Sequence, residues 1–389
     1  VALRAVAEIN LAAIERNTAR LRGIVDHHRP GHHARVCAVV KAFGYGHGAV
    51  PSALAALAGG AVMLGVATAT EAAELRAAGV DAPILILGAT SAEELPSALA
   101  SGAELVAWDV GFVAALVEAV GGPGPAATSG SPPLRIHVKL DTGLGRLGTR
   151  SIDQALAVVR AVLDAAPSLE LAGVMTHLAT ADGDQEFVRE QLSRFGPFVA
   201  ESRALARGDI VAHAANSAAT LINPASHFDM VRPGIAIYGA DPMNHDPADH
   251  GLEPALALRS YVAAVKPIAV GESTGYGRTF IAAADSVIAT IPIGYGDGVP
   301  RALADNCDVL IGGRRYPLRG MVSMDNITAE LGPASGVSVG DRATLIGTDG
   351  DERQTAEDIA RRLGTISYEV LCGISRRVPR TYHHDGRPA

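Results

Sequence analysis

Cysteine is scarce in this chain: three among 389 residues, at positions 37, 307 and 372, odd in number and far apart. That excludes a disulfide framework and the close Cys/His spacing of a metal site. Cys37 lies inside an apolar run and reads as core rather than nucleophile. Aromatic residues make up only 4% of the sequence, so the core must be built from Val, Ile, Leu and Ala. The formal net charge is -8 and no Lys/Arg stripe stands out, which argues against nucleic acid and anionic membrane as partners. No apolar stretch is long and uninterrupted enough to span a bilayer. No signal-peptide pattern is seen, so the expectation is a cytoplasmic, acidic, small-molecule enzyme.

What the sequence does have is regular alternation. Short, β-branched apolar runs recur at 36–40, 62–66, 84–87, 105–107, 136–140, 171–175, 210–212 and 230–231. Segments with helical spacing separate them, for example 69–78, 152–163 and 185–205. Eight strands alternating with helices predict an α/β architecture, a parallel (β/α)8 TIM-type barrel, with a doubly wound open sheet as the rival topology. The segment 241–254 is rich in Asp, Pro, His and Gly and reads as a linker. Beyond it, runs at 261–269, 286–291, 309–311, 322–329 and 343–346 predict a mostly antiparallel β-domain closed by a helix at 355–363. Gly312-Gly313 between two of these runs is a hairpin signal. The expected division is a barrel over 1–245, whose first ten residues could pair with the other domain, and a strand-rich domain over 246–389. The Gly/Pro/Ser segment 121–133 is expected to be a surface loop of the barrel.

In such a barrel, chemistry gathers at the C-terminal ends of the strands. Lys41 ends the first strand, directly after Val39-Val40. A lysine there is either an amine whose charge is disfavoured by burial, suited to covalent chemistry with a carbonyl, or a side chain that snorkels out to pair with a carboxylate. Position alone does not choose. The fifth strand alternates strictly, so His137, Lys139 and Asp141 share the inward face while Ile136, Val138 and Leu140 face the helices. Lys139 needs a negative partner, and Asp141 on the same strand face is not an obvious one. A structural ion-pair network in the barrel mouth is the alternative reading. The sixth strand ends at Thr176-His177, the seventh at His213-Ala214-Ala215-Asn216-Ser217 and the eighth at Arg232-Pro233-Gly234-Ile235. Loops after strands seven and eight are the usual phosphate site of these barrels, and a Ser hydroxyl with backbone N–H groups at a helix start suits an anion. A strand-end lysine beside a phosphate-competent pair of loops suggests a phosphorylated aldehyde cofactor.

These motifs, together with Tyr45-Gly46-His47-Gly48, Gly294-Tyr295-Gly296-Asp297-Gly298, Ser323-Met324-Asp325 and Tyr368-Glu369-Val370, resemble the bacterial alanine racemases nearly end to end. The resemblance implies a pyridoxal 5'-phosphate enzyme, a homodimer in which the β-domain of one subunit caps the barrel of the other, and alanine as substrate. It implies that Lys41 is the Schiff-base lysine and one of two catalytic bases, with Tyr276 from the partner subunit as the other. Arg232 matches the arginine on the pyridine nitrogen, Arg146 a contact to the cofactor and substrate, and His177 an orienting group. Tyr45, Ser217, Gly234, Ile235 and Tyr368, with the neighbouring Asn216, match the phosphate cradle. Met324 matches the backbone contact to the substrate carboxylate, Tyr295 and Asp325 the entrance, and Lys139 a lysine that is carbamylated in many members. The carbamate would be the missing negative partner. An arginine on the pyridine nitrogen weakens the cofactor as an electron sink, which separates a racemase from a decarboxylase of the same barrel type.

The sequence departs from the family pattern in three places. Phe43-Gly44 stands where Asn-Ala is more usual, Leu144 where Met is, and Ser323 where some members have Cys. Phe43, beside the active-site lysine, bears on packing of the cofactor loop. A racemase for serine or for a broader range of amino acids is the nearest rival reading. A non-catalytic carrier of the same cofactor is a rival of a different class, and it would lack both the β-domain and Tyr276.

Overall fold

The computed structural model describes residues 3–28, 34–121 and 132–389. Most of the loop expected at 121–133 lies outside the described residues. The chain divides into two compact units, one of residues 15–44 and 49–237, the other of residues up to 14, 45–48 and 238 onward.

The first unit is a closed barrel of eight parallel strands, which removes the open sheet from consideration. After β1 (Ala5–Asn10), which belongs to the other unit, the barrel strands are β2 (Arg35–Val39), β3 (Met63–Val66), β4 (Ile84–Ile86), β5 (Glu104–Ala107), β6 (Leu134–Lys139), β7 (Leu169–Met175), β8 (Val211–His213) and β9 (Met230–Val231). β9 pairs with β2 to close the ring. Helices alternate with the strands along the chain, and side-chain caps fix the first turns of four of them. Thr68, Asp109, Ser151 and Asp184 each accept a backbone N–H from the helix that follows. Alternation along the strands sends one set of residues inward, where Cys37, Met63, Leu85, Val106, Met175 and Met230 form an apolar plug. Each such side chain contributes about 1.5–3 kcal/mol on burial. Cys37 is fully buried and its thiol is pushed up to about 12 by burial, so it is core and not a nucleophile.

The second unit is strand-rich. β10 (Leu256–Tyr261), β11 (Ala264–Ile268), β12 (Ser273–Thr274), β13 (Phe280–Ile281), β14 (Ser286–Ile291), β15 (Asp308–Ile311), β16 (Arg314–Pro317), β17 (Ile327–Glu330), β18 (Arg342–Asp349), β19 (Glu352–Gln354), β20 (Arg380–His384) and β21 (Arg387–Pro388) follow in order. The main sheet runs β16-β15-β18-β10-β1-β20-β21, antiparallel except where β1 lies parallel to β20. A second sheet runs β11-β14-β17. Gly312 and Gly313 turn the β15–β16 hairpin with φ of 58° and 73°, values that two L side chains in succession rarely adopt. The helix spans Ala356–Leu363 and Thr355 is its cap.

Three expectations are corrected. The run at 261–269 is not one strand: the chain leaves the main sheet after Tyr261 and enters the smaller one at Ala264. Of 322–329, only the end is strand, because Ser323 and Asn326 close a turn instead. The segment 241–254 is no plain linker. Asp241 is fully buried, with its N–H on the Glu357 carboxylate at 2.8 Å. Among the described residues no helix is long and apolar enough to cross a membrane.

Candidate active site

Lys41 leaves the barrel at the C-terminal end of β2 and is half-buried. Ala42, Phe43, Gly44 and Tyr45 follow with φ of 53°, 56°, 60° and 50°, a left-handed turn closed by the Gly44 N–H on the Val40 carbonyl at 2.9 Å. Each L residue in that region gives up about 1–2 kcal/mol, so the turn stands only because its surroundings fix it. Glu71 supplies part of that fixation: its two carboxylate oxygens accept the N–H groups of Ala42 and Ala67, each at 2.7 Å. Sequence reasoning did not identify Glu71.

β6 brings the second lysine. Lys139 is only 4% exposed and its ammonium is pushed down to about 8, first by burial, then by Arg232, Arg146 and Lys41, with Asp141 opposing. Among the described residues no carboxylate lies within ion-pair distance of it. Asp141 is engaged elsewhere, accepting from the backbone of Gly143 and Gly145 at 3.0 Å and from Arg150 at 3.3 Å. Burial works against its charge, but those donors hold its carboxyl below the usual range. Arg146 is exposed.

Arg232, next to β9, is buried. One of its terminal nitrogens donates to His213 Nδ1 at 2.7 Å. The other serves the carbonyls of Thr176 at 2.8 Å and Ala214 at 3.1 Å, with His177 Nδ1 at 3.3 Å. Burial lowers it to about 10, which still leaves it charged at neutral pH. His177 and His213 are held well below the ordinary imidazole value, by loss of solvent and then by Arg232, so both rings are neutral. Ser217 Oγ accepts the N–H groups of Gly234 at 2.9 Å and Ala236 at 3.3 Å, which ties the loops after β8 and β9 together. Ile235 is fully buried between them in sequence. Asn216 caps the short helix Ser217–Ile222 through the Ala219 N–H, so its side chain has a local structural task.

The other expected residues belong to the second unit. Tyr45 is buried there, with its ring 5.2 Å from Tyr238 and 6.0 Å from Tyr368. Tyr295 and Met324 come together because the backbone N–H groups of Tyr295 and Gly296 bond to the carbonyls of Ser323 and Met324. Asp325 pairs with Arg377. Tyr276 stands apart on a turn, 73% exposed, and makes no hydrogen bond among the described residues. Gly275 sets that turn: its φ is 80°, and a Cβ there would lie 3.0 Å from the Met321 nitrogen. Sequence reasoning also passed over Glu104, whose signal was available. It precedes Leu105 in β5 and shares the inward parity of Val106.

Strand-end lysines and arginine around a ligand-competent barrel mouth define a (β/α)8-barrel enzyme with an appended β-domain. A family model described as the alanine racemase N-terminal domain matches residues 9–242, and one described as the alanine racemase C-terminal domain matches residues 255–382. The alanine racemase of Symbiobacterium thermophilum is 41% identical over 378 residues, 97% of this chain and 96% of that one. The solved alanine racemase of the D-cycloserine producer Streptomyces lavendulae superposes with a TM-score of 0.89 at 35% identity, covering 98% of each chain. That of Bacillus anthracis, solved with bound L-Ala-P, gives 0.86 at 35% identity over 99% and 96%. The chain belongs to the alanine racemase family and is an enzyme of the isomerase class.

Proposed function

We propose that this protein interconverts L- and D-alanine with pyridoxal 5'-phosphate held on Lys41, using Lys41 and Tyr276 of the partner subunit as bases on opposite faces of the substrate. The observation that carries this reading is the cationic barrel mouth. Arg232, Arg146 and Lys41 all lie within electrostatic range of Lys139, while Asp141 is occupied by backbone donors and Arg150. Such an excess of positive charge fits an anionic phosphate together with a substrate carboxylate. When bound, the cofactor supplies a sink for the electron pair left on Cα as its proton departs.

The residues of the chain divide the remaining work. Inverting a stereocentre needs a proton taken from one face and another returned to the opposite face, so one base on each side is the minimum. Lys41 Nζ serves one face. Tyr276, exposed on a turn that requires glycine at position 275, is disposed to serve a second copy of the chain, which makes the homodimer part of the catalytic unit. Ser217, Gly234, Ile235, Tyr45 and Tyr368 would hold the phosphate, with Asn216 fixing the helix start. Arg232, oriented by His177 and His213, would be the residue against the ring nitrogen of the cofactor and would keep a proton off it. Arg146 and the Met324 backbone would take the substrate side, and Tyr295 and Asp325 the entrance. Carbamylation of Lys139 would supply the negative charge that its neighbours leave absent. D-alanine for peptidoglycan is the proposed use of the product.

The test is a purified-protein assay of L- to D-alanine conversion, with and without added pyridoxal phosphate, run beside serine and lysine. Conversion that depends on the cofactor is expected, fastest for alanine. A serine rate above the alanine rate would sink the substrate assignment. Tyr276→Phe is expected to stop proton exchange from one enantiomer preferentially while leaving the bound-cofactor spectrum intact, and equal survival of both directions would break the two-base assignment.

A further inference from the structure

Four buried side chains form one continuous line through the inside of the barrel. Glu104 Oε2 lies 2.7 Å from His137 Nε2, His137 Nδ1 lies 2.8 Å from His213 Nε2, and His213 Nδ1 lies 2.7 Å from an Arg232 terminal nitrogen. Exposures along the line are 6%, 1%, 0% and 3%, so water does not compete for these bonds. The second oxygen of Glu104 is taken by Arg135 Nε at 2.9 Å, which anchors the line at the N-terminal end of β5.

The geometry fixes where every proton sits. A guanidinium can only donate, so His213 Nδ1 must offer its lone pair. A neutral imidazole has a single N–H, so the proton of His213 is on Nε2 and points at His137 Nδ1. That atom must then be a lone pair as well, which leaves the His137 proton on Nε2, facing the carboxylate. Every bond therefore runs in one direction, from Arg232 toward Glu104. Ordered chains of this kind polarise one another, and here the donor at one end and the carboxylate at the other set the same sense.

We propose that Glu104 is a positioning residue for Arg232, acting through His137 and His213 from the far end of the barrel. Arg232 and Glu104 impose the same order from opposite ends, so with the carboxylate neutralised only Arg232 still favours the proton on His137 Nε2 and the reverse order comes within reach. A shift to Nδ1 would set two N–H groups against each other at His213, which could relieve the clash only by moving its own proton to Nδ1. That proton would then face the Arg232 guanidinium, and the bond that fixes one of its two terminal nitrogens would be lost. The arginine would be left held through the other by the carbonyls of Thr176 and Ala214. This deepens the reading of Arg232 as the cofactor-facing group and rests on it. Glu104 itself touches no reacting atom.

The experiment is nitrogen-15 NMR of the full chain, labelled at histidine and loaded with cofactor, together with steady-state kinetics. Compared are the unmodified protein, Glu104→Gln and Glu170→Gln, the last removing a carboxylate that pairs with Arg135 but lies off the line. The unmodified protein is expected to show Nε2–H alone on both His137 and His213. Glu104→Gln is expected to mix tautomers at both rings, shift the absorption of the bound cofactor and lower kcat on the order of tenfold, with KM moved less than about twofold. Glu170→Gln is expected to leave all of these unchanged. A single Nε2–H tautomer retained in Glu104→Gln overturns the proposal, and so do mixed tautomers with unchanged kcat. Should Glu104→Gln fail to fold, Nδ1–H on either ring of the unmodified protein overturns it on its own. Absence of racemisation in the unmodified protein would instead overturn the reading of the site, since the ring tautomers are observable regardless of activity.

Discussion

The two ends of the barrel treat charge in opposite ways. At the N-terminal ends of the strands, Arg135 sits between Glu104 and Glu170, and Arg76 gives its hydrogens to the carbonyls of Val80, Ala82 and Ser101. At the C-terminal ends, Lys41, Lys139, Arg146 and Arg232 depress the charge of their neighbours, and Asp141 is turned away to its own loop. A chain selected only to fold would satisfy both ends. Lys139, buried with no carboxylate within ion-pair distance among the described residues, marks the end where a ligand would complete the electrostatics.

Perturbing each end in turn should separate function from stability. The largest effect is expected at the top, where Lys41→Ala removes anchor and base together. Racemisation should fall by about 10⁴-fold or more while the melting temperature of the cofactor-free protein stays within error or rises. A variant that melts early would show that Lys41 is held by structural bonds instead. At the bottom, Arg135→Met should cost about 1–3 kcal/mol in urea unfolding, because Glu104 and Glu170 lose a charged donor. An unchanged midpoint would mean that this end is not a stability device.

Lys139 sharpens the contrast because its cost is electrostatic and has a sign. Its folded value of about 8 lies below the ordinary 10.5, so between those pH values the unfolded chain holds a proton that the folded protein has released. Stability of the unmodified lysine should therefore rise with pH across that window. Lys139→Met should raise stability at pH 7 by about 1–2 kcal/mol and flatten the rise. Added bicarbonate should stabilise the unmodified protein and leave Lys139→Met unaffected if the lysine is carbamylated, as proposed. The smallest effect is expected at Phe43. Asn tolerates a φ of 56° better than a bulky aromatic, so Phe43→Asn should gain about 0.5–1 kcal/mol. A loss would show that the Phe43 ring packs for more than the turn costs.

Much of the barrel could be read without coordinates. The alternation of 135–141 placed His137 and Lys139 inward, and the position of Lys41 after two valines placed it at a strand end. Both readings rest on periodicities that the chain carries locally. The second unit was harder for a reason visible in 261–269. The apolar run is continuous, yet Val262 bonds to Asp341 in one neighbourhood and Ala263 to Thr290 in another, so adjacent residues serve different sheets. β16 and β20 escaped notice because their residues are mostly polar and only their neighbours make them strands. The exposure of Tyr276 was likewise outside the reach of pattern, since burial depends on what packs against a turn.

By itself the sequence determined which residues could face inward and which stood at strand ends, because side-chain direction in a strand follows a period of two. Only the tertiary structure decided that Glu104, His137, His213 and Arg232 would meet. They come from β5, β6, β8 and the loop after β9, and their contacts depend on how those strands are staggered around a closed ring. Register is a property of pairs of strands, and no segment of chain contains it.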